Sequence, residues 1–470
     1  MNIVIFSINP IFPNLVTGGA SKHLYQIASY LGEIGHQVNL LCAAPREQLD
    51  PFIWSENVLV TPTLPFHLPF PQPYAVSGPD LTLIVRRVYE ALQSADRFYI
   101  HDGEFLLPDV YESIPTTTSF RDNIYPESVL GSFIGKADDI ICISDYSCKV
   151  ITHSVGQFYP DIPKRIHKVI NGLDLEVFLP VDPSSFAKKF GIERDTTHVL
   201  LHPHRPEPGK GLKETIFVLE KLVHKYGIKE IKVLVPQWID SMVSMDESSY
   251  AQEMKLLINE LHLQEQFIFI PWLPIEKMAQ LYSLGDVTLC LGNFVETFGN
   301  VAYESLACGT PSIVAKVGVH RTQMPDELID KVAPGDFDEV AERIVSIFEG
   351  RQFRFEAIKE TIKKNMNVQK QKEGYAQVIT QSKKRIALRF RPANVTEKTR
   401  FILAPWCYLD GDKVFHDFRG KFTEAGLLTS LLSDRQTINC SEVKNAGISA
   451  EKWQFWVDQT WLVPEIENNI

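Results

Sequence analysis

The 470-residue sequence has no apolar run approaching the roughly 18 residues that cross a bilayer. Its opening, "MNIVIFSINP", lacks the basic n-region and the long apolar stretch of a signal peptide, and reads as a first β-strand. Cysteine is sparse. There are seven, with no CxxC pair, and Cys42, Cys142 and Cys290 sit inside strand-like runs. This argues against a disulfide framework and a zinc site, and points to reduced thiols in a cytoplasmic protein. Positive charge is in deficit, with a formal net charge of −11. A general nucleic-acid or anionic-membrane binder is therefore disfavoured, although local basic patches are not. The chain also has no internal repeat of solenoid period.

What the chain does have is alternation. "NIVIF" is followed by Gly18-Gly19, then "SKHLYQIASYLGEIGH", then "QVNLLCA". Leu24, Ile27, Ala28 and Leu31 recur at helical spacing and Gly35 ends the helix. Strand, helix, strand means a parallel sheet with crossover helices. "RFYIH" and "DIICIS" continue it, separated from the first strands by the proline-rich "LPFHLPFPQPYAVSGP", a long surface loop. Asn171-Gly172 makes a turn, and Pro180 and Pro183 suggest a boundary.

The alternation then restarts at "HVLLH" and runs through "IKVLVP", "FIFIP", "VTLCLG" and "PSIVA". The expected fold is α/β: two Rossmann-like, doubly wound domains, residues 1–180 and 181–350, facing across a cleft. Ligands of such folds bind at the carboxyl ends of the strands. Helices over 351–382 are expected to pack back toward the first domain. Residues 383–400 hold seven Lys/Arg and one acidic residue, a basic and solvated linker. Residues 401–470 read as an appended α+β domain, with a winged helix as one arrangement that fits. It has a hairpin about Asp410-Gly411 and core tryptophans at 453, 456 and 461. With six basic and ten acidic side chains it does not suit DNA.

Chemistry concentrates at four places. In "GNFVETFGNVAYE", Glu296 and Glu304 are separated by seven residues, after a buried strand and at a helix start near Asn300. Backbone N–H groups of Gly299, Asn300 and Val301 would favour an anion there, and a carboxylate can accept the paired hydroxyls of a sugar. The spacing alone equally fits a helix-dipole glutamate and a solvated loop glutamate. In "LLHPHRPEPGKGLKETI", Arg205 and Lys210 precede a helix, which makes a phosphate cradle or a loop of ordinary surface cations. The spacing is not that of a Walker A loop. His202 and His204 have no acidic partner at ligand spacing. Gly18 and Gly19 permit close backbone approach to a ligand but do not form GxGxxG. His101-Asp102 and Arg121-Asp122 follow two strands of the first half, aimed at the cleft or capping local turns.

Taken in order, these elements resemble the retaining glycosyltransferases of the GT-B fold, family 4 (glycosyl transferases group 1). The resemblance covers roughly residues 1–380 and rests on "GGASKHLYQIASYLGEIGHQV", "INGLDLEVFLP", "RPEPGKG" and "ETFGNVAYESLACGTPSIVA", which fits the family's E-x7-E motif. The resemblance implies that Glu304 holds the ribose of a nucleotide sugar. It implies that Glu296, with backbone N–H groups of Phe298 to Val301, holds the donor sugar. Arg205 and Lys210 would neutralise the diphosphate without a metal, and Trp272 and Leu273 would border the base.

Two departures stand out. Arg121 occupies the position of a family histidine, so that Arg121 acts by charge or His101 substitutes. Gly292-Asn293 replaces the usual Pro-Ser. Asp410-Gly411-Asp412 matches a metal-binding D-x-D pattern of another fold but reads better as a turn.

The implied activity is transfer of a sugar, with retention, from a UDP- or GDP-sugar to an acceptor hydroxyl, with no metal and no other cofactor. The alternatives are a GT-B epimerase or phosphorylase, and an inactive sugar-nucleotide or glycan binder. Expected partners are the donor and a hydroxyl acceptor, with no nucleic acid. A peripheral membrane or protein contact would run through the basic linker and the appended domain.

Overall fold

In a computed structural model of the chain, all residues are described except 14–17, 46–48, 69–71, 238–246 and 467–470. The first domain holds β1 (Asn2–Ser7), β2 (Gln37–Ala43), β3 (Phe52–Ser55), β4 (Val58–Leu64), β5 (Arg97–Ile100), β6 (Thr116–Phe120), β7 (Asp139–Cys142) and β8 (Ile166–Lys168). They form one eight-stranded sheet in the order 3-4-2-1-5-6-7-8. All pairs are parallel except β3 with β4. Helices cover both faces, so strands such as β1 and β7 are buried along almost their whole length and read as continuous apolar runs. The β3–β4 hairpin was not expected: "FIWSENVLV" has a two-residue turn at Glu56-Asn57 instead of a crossover helix, with Asn57 at φ 59°.

The second domain holds β9 (His198–Leu201), β10 (Ile231–Pro236), β11 (Phe267–Ile270), β12 (Val287–Cys290), β13 (Ser312–Ala315) and β14 (Asp330–Val332). Its six strands are parallel, in the order 11-10-9-12-13-14. The strand order reverses beside β9 and β12, and the loops after those two strands carry Arg205, Lys210, Glu296 and Glu304. That reversal opens the crevice in which ligands of doubly wound sheets bind.

The chain returns to the first domain later than expected. Within 351–382, the helix Phe355–Asn365 stays on the second domain, packed on the helix Asn300–Ala307. Only the helix Val368–Gln381 packs on the first domain, against the helix Gly18–Glu33 and strands β5 to β7. The reason lies in which apolar faces are free. Ile358, Ile362 and Met366 fill the core beside Ala302 and Leu306, whereas Tyr375 meets Tyr99 of β5 at 6.1 Å. At the crossing, Gln371 donates to Asn171 Oδ1 at 3.2 Å and accepts from the Gly172 amide at 2.8 Å.

Two loop readings also change. In the proline-rich stretch, residues 69–71 lie outside the described residues, but Phe66 is buried and Tyr74 is tied by its hydroxyl to Glu104 O and Leu106 N. It is an anchored loop. The basic segment stays largely exposed, as expected of a solvated linker, but it is docked on the first domain by ion pairs. Lys384 and Arg385 pair with Asp138 and Asp139, Arg391 with Asp161, and Phe390 stacks on Phe158 at 6.0 Å. Buried carboxylates on the first domain require those cations.

The appended domain has two three-stranded antiparallel sheets. One is built from Phe401–Leu403, Thr437–Ile438 and Leu462–Pro464, the other from Cys407–Asp410, Lys413–His416 and Lys421–Glu424. Asp410-Gly411-Asp412 is the hairpin turn, with Gly411 at φ 54°. Trp453, Trp456 and Trp461 are core residues.

Gly172 sets the crossing distance, because a Cβ there would lie 2.2 Å from Val368 Cα. Gly172→Ala should therefore cost about 2 kcal/mol through overpacking, read as a lower midpoint in thermal unfolding.

Candidate functional site

The cleft is built from the amino ends of two helices of the second domain and one helix of the first. The helix Asn300–Ala307 starts after Gly299, whose φ of 79° is left-handed and which lies against His320. The helix Leu212–Glu220 starts after Gly211, at φ 96°. The two preceding loops touch backbone to backbone: a Cβ on Gly292 would fall 2.0 Å from Gly209 O. The glycines of "GNFVETFGN" and "PGKG" therefore let the two loops share one wall. Gly19, in the first turn of the helix Gly18–Glu33, faces Asn300 across the cleft.

Those loops and that helix enclose a cavity of about 210 Å³. Among the residues lining it are Gly19, Arg205, Lys210, Trp272, Glu296, Gly299, Asn300 and Val301. His204, Phe294 and His320 line it as well. Eight residues singled out from sequence thus share one cavity. The volume is below the 300 Å³ or more usual for small-molecule sites, so the cleft is contracted.

Charge explains the contraction. Lys210 Nζ lies 2.8 Å from Glu296 Oε1 and 3.5 Å from the centre of the Phe294 ring. Burial pushes the half-buried Glu296 carboxyl up, but Lys210, helped by Arg205, outweighs it and holds the group below its ordinary range. Arg205 pairs with Glu207 at 3.0 Å. Glu304, in the second turn of its helix, is buried. Its Oε2 accepts from the Tyr282 hydroxyl at 2.9 Å, and its Oε1 from Lys22 Nζ of the first domain at 3.1 Å. Lys22 also sits over the Phe178 ring at 4.4 Å. A diphosphate could replace the carboxylates as partner of these cations, and hydroxyls could replace the cations as partners of the carboxylates.

Other predicted residues are placed elsewhere. Gly18 begins its helix next to Gly19. Phe298 is a core residue, its ring 5.3 Å from Tyr303, so only its backbone faces the loop. Leu273 is half-buried and packs on the core beside Trp272. His101 is 1% exposed and lies behind Arg121 rather than on the cavity. Arg121 Nη1 donates to His101 Nε2 at 3.2 Å and to Ala20 O at 3.2 Å, and the Tyr99 hydroxyl contacts His101 Nδ1 at 2.9 Å. Both ring nitrogens are engaged. Burial and the neighbouring guanidinium hold the imidazole well below its ordinary range. His101 therefore does not take the place of the absent histidine as a proton carrier facing the cleft. Arg121 itself reaches the second domain, where its carbonyl accepts from the Thr297 hydroxyl.

Sequence reading missed Lys22, His204, His320 and Tyr282. Lys22 carried a faint signal, four residues after Gly18 and so on the same helix face. His204 is half-buried with Nε2 unpartnered, and His320 contacts the Tyr303 hydroxyl at 3.5 Å. Nothing local to the sequence marks His320 as a cavity residue or Tyr282 as the partner of Glu304.

The family model for glycosyl transferases group 1 matches residues 185–365. The D-inositol 3-phosphate glycosyltransferase of Mycobacteroides abscessus is 30% identical over 172 residues, 37% of this chain and 36% of that protein. D-inositol 3-phosphate glycosyltransferase 1 of Catenulispora acidiphila is 24% identical over 322 residues, 64% of this chain and 75% of that protein. Across the first four such relatives the match spans about half of their length or less, 36–51%.

In fold, the chain is similar to sucrose-phosphate synthase from Thermosynechococcus elongatus. The TM-score is 0.66 and the identity 18%, over 81% of this chain and 98% of that one. It is likewise similar to the Anabaena protein HepE in complex with UDP and glucose. That TM-score is 0.64 and the identity 18%, over 81% of this chain and 99% of that one. The fold is GT-B.

His320 is buried and neutral, its proton affinity lowered from 6.5 to about 4 chiefly by burial. Between those values the unfolded chain binds a proton that the folded chain does not, so His320 lowers stability as pH falls from 6.5 toward 4. Asp102 and Asp122, raised to about 6 mainly by burial, act oppositely over part of this window. The His320 share is isolated by difference: between pH 7 and 5, the wild type should lose more of its melting temperature than His320→Gln.

Proposed function

We propose that the chain, whose residues 185–365 match the glycosyl transferases group 1 model, transfers a sugar, with retention, from a nucleotide-diphosphate sugar to an acceptor hydroxyl. One observation carries this reading. Glu296 and Lys210 pair at 2.8 Å inside a cavity that also presents Arg205 and the amino end of the helix Asn300–Ala307. These groups bear opposite charges, stand on the strand ends of one doubly wound domain, and suit the two ends of one donor.

Each group has a task. Arg205 and Lys210 balance the diphosphate as it leaves, the moment at which negative charge grows. The amides at Gly299, Asn300 and Val301 add positive potential at the same end. Two fixed cations and a helix terminus make a metal unnecessary, so turnover should persist in a chelator. Glu296 accepts hydroxyls of the donor sugar and Glu304 the ribose hydroxyls, with Tyr282 keeping Glu304 oriented. Lys22 leaves Glu304 when the ribose arrives. Trp272 borders the base, which is uracil or guanine.

The acceptor oxygen attacks the anomeric carbon from the face the diphosphate leaves. The bond to the diphosphate oxygen breaks, the new glycosidic bond forms, and a diphosphate oxygen takes the acceptor's proton. Arg121, joined to Thr297 across the cleft, acts by charge on the acceptor side. Closure of the two domains over the donor follows from each supplying part of the site.

The acceptor is a glycan, a lipid-linked, peptide or small-molecule hydroxyl. The unpaired buried thiols fit a cytoplasmic setting. No helix among the described residues is long and apolar enough to cross a membrane. A peripheral membrane or protein contact would use the outer face of the basic strap, where Ile386 and Phe390 stand exposed and Phe390 lies against the exposed Phe158.

Donor-dependent turnover should fall at least ~100-fold in Glu304→Ala and in Lys210→Ala, without loss of fold. The product should keep the anomeric configuration of the donor, and an inverted product would sink the retaining mechanism.

A further inference from the structure

The appended domain is not a separate bead. Its apolar core is continuous with Tyr146 and Val150 of the first domain and with Val295, Ala315, Val317 and Val319 of the second. Val295 is the residue before Glu296. At the centre of this three-way junction, Asp417 has a side chain fully shielded from solvent. Arg321 meets it with two parallel contacts, Nη1 to Oδ1 at 2.5 Å and Nη2 to Oδ2 at 2.8 Å. The Tyr146 hydroxyl donates to the same Oδ2 at 2.7 Å, and Arg321 Nη2 also donates to Pro405 O at 2.8 Å. One carboxylate of the appended domain thus holds both Rossmann-like domains.

The pair is connected to the donor loop. Arg321 ends the short turn Gly318–Arg321, which also carries the cavity residue His320. At the start of that turn, Val319 N donates to Glu296 O at 2.9 Å. A Cβ on Gly318 would lie 2.3 Å from Glu296 O, so turn and loop meet backbone to backbone. A second contact runs directly. Gly420 stands over Asn293, and a Cβ there would come within 2.8 Å of Asn293 Nδ2. The segment 417–420 therefore braces the loop 293–296 at both ends.

We propose that the appended domain is a working part of the donor site, with Asp417 as a positioning residue that fixes Glu296 through Arg321 and the turn Gly318–Arg321. The inference rests on the donor-sugar role of Glu296. A two-pronged guanidinium–carboxylate pair defines direction as well as distance. Removing the carboxylate leaves a buried guanidinium unpaired, and the turn that carries it must move to find water. Glu304, on the ribose side, lies in the helix Asn300–Ala307 that follows the loop and keeps its own partners, Tyr282 and Lys22. The effect should therefore fall on the sugar and spare the nucleotide.

The experiment compares the affinities of UDP and UDP-glucose, and of GDP and GDP-mannose, by calorimetry. The quantity read is the preference for the sugar-bearing form. Glu296→Gln should lower it about tenfold, and Asp417→Asn about fivefold, with the bare nucleotide bound as before. Arg321→Lys keeps the charge but loses the two-pronged geometry, and should behave like Asp417→Asn if the latter fails to fold. Trp456→Phe, which perturbs the core of the appended domain but leaves the Arg321–Asp417 pair in place, should leave the preference unchanged. The proposal is overturned if Glu296→Gln lowers the preference while Asp417→Asn and Arg321→Lys leave it at the wild-type value. It is overturned also if Trp456→Phe lowers it equally, which would mean general loosening. If Glu296→Gln itself has no effect, the donor-sugar role of Glu296 fails first and takes this proposal with it.

Discussion

The interaction on which the rest depends is the pair between Glu296 and Lys210 at the carboxyl edge of the second sheet. A carboxylate removed from water needs a cation or a set of donors, and the cation needs the carboxylate in return. Each is held by a glycine-bearing loop, and the two loops can share a wall only because Gly211 and Gly292 have no side chains. The strand order, which reverses beside β9 and β12, puts those loops next to each other. Under the proposed function, a diphosphate would replace Glu296 as the partner of Lys210, and sugar hydroxyls would replace Lys210 as the partners of Glu296.

A similar substitution closes the cleft from the other side. Lys22 reaches from the first domain to Glu304 and ties the two domains together. Glu304 is buried and Glu296 half-buried, so each pair chiefly offsets the cost of taking its own charges out of water. Their value is that they can be exchanged. A diphosphate offers Lys210 and Arg205 more charge than Glu296 does, and ribose hydroxyls offer Glu304 partners without a long lysine side chain to immobilise.

Much of this was legible in the sequence because it is local. Strand, glycine loop and helix follow one another within about 20 residues in both "HVLLHPHRPEPGKGLKETI" and "VTLCLGNFVETFGNVAYESLA", and the hydrophobic period changes visibly between them. The alternation gave two doubly wound domains, and the eight cavity residues came from those loops and from Gly19 and Trp272. What was not legible is long-range. Lys22 and Glu304 are 282 positions apart, and Arg321 and Asp417 are 96 apart. No spacing rule reaches that far. The helix Phe355–Asn365 was assigned to the wrong domain for the same reason, since an amphipathic face does not name its partner. The docking of the basic strap was hidden because its acidic partners, Asp138, Asp139 and Asp161, lie more than 200 residues upstream.

The central claim is that the cleft is built for a nucleotide-diphosphate sugar, with charges that rest on each other until it arrives. Ligand that binds only the folded chain raises its melting temperature. The direct measurement is the shift produced by a panel of UDP- and GDP-sugars, beside the matching monophosphates and free sugars. At least one diphosphate sugar should raise the melting temperature clearly, and monophosphates and free sugars at the same concentration should not. Equal shifts for a monophosphate, or no shift for any diphosphate sugar, would contradict the account.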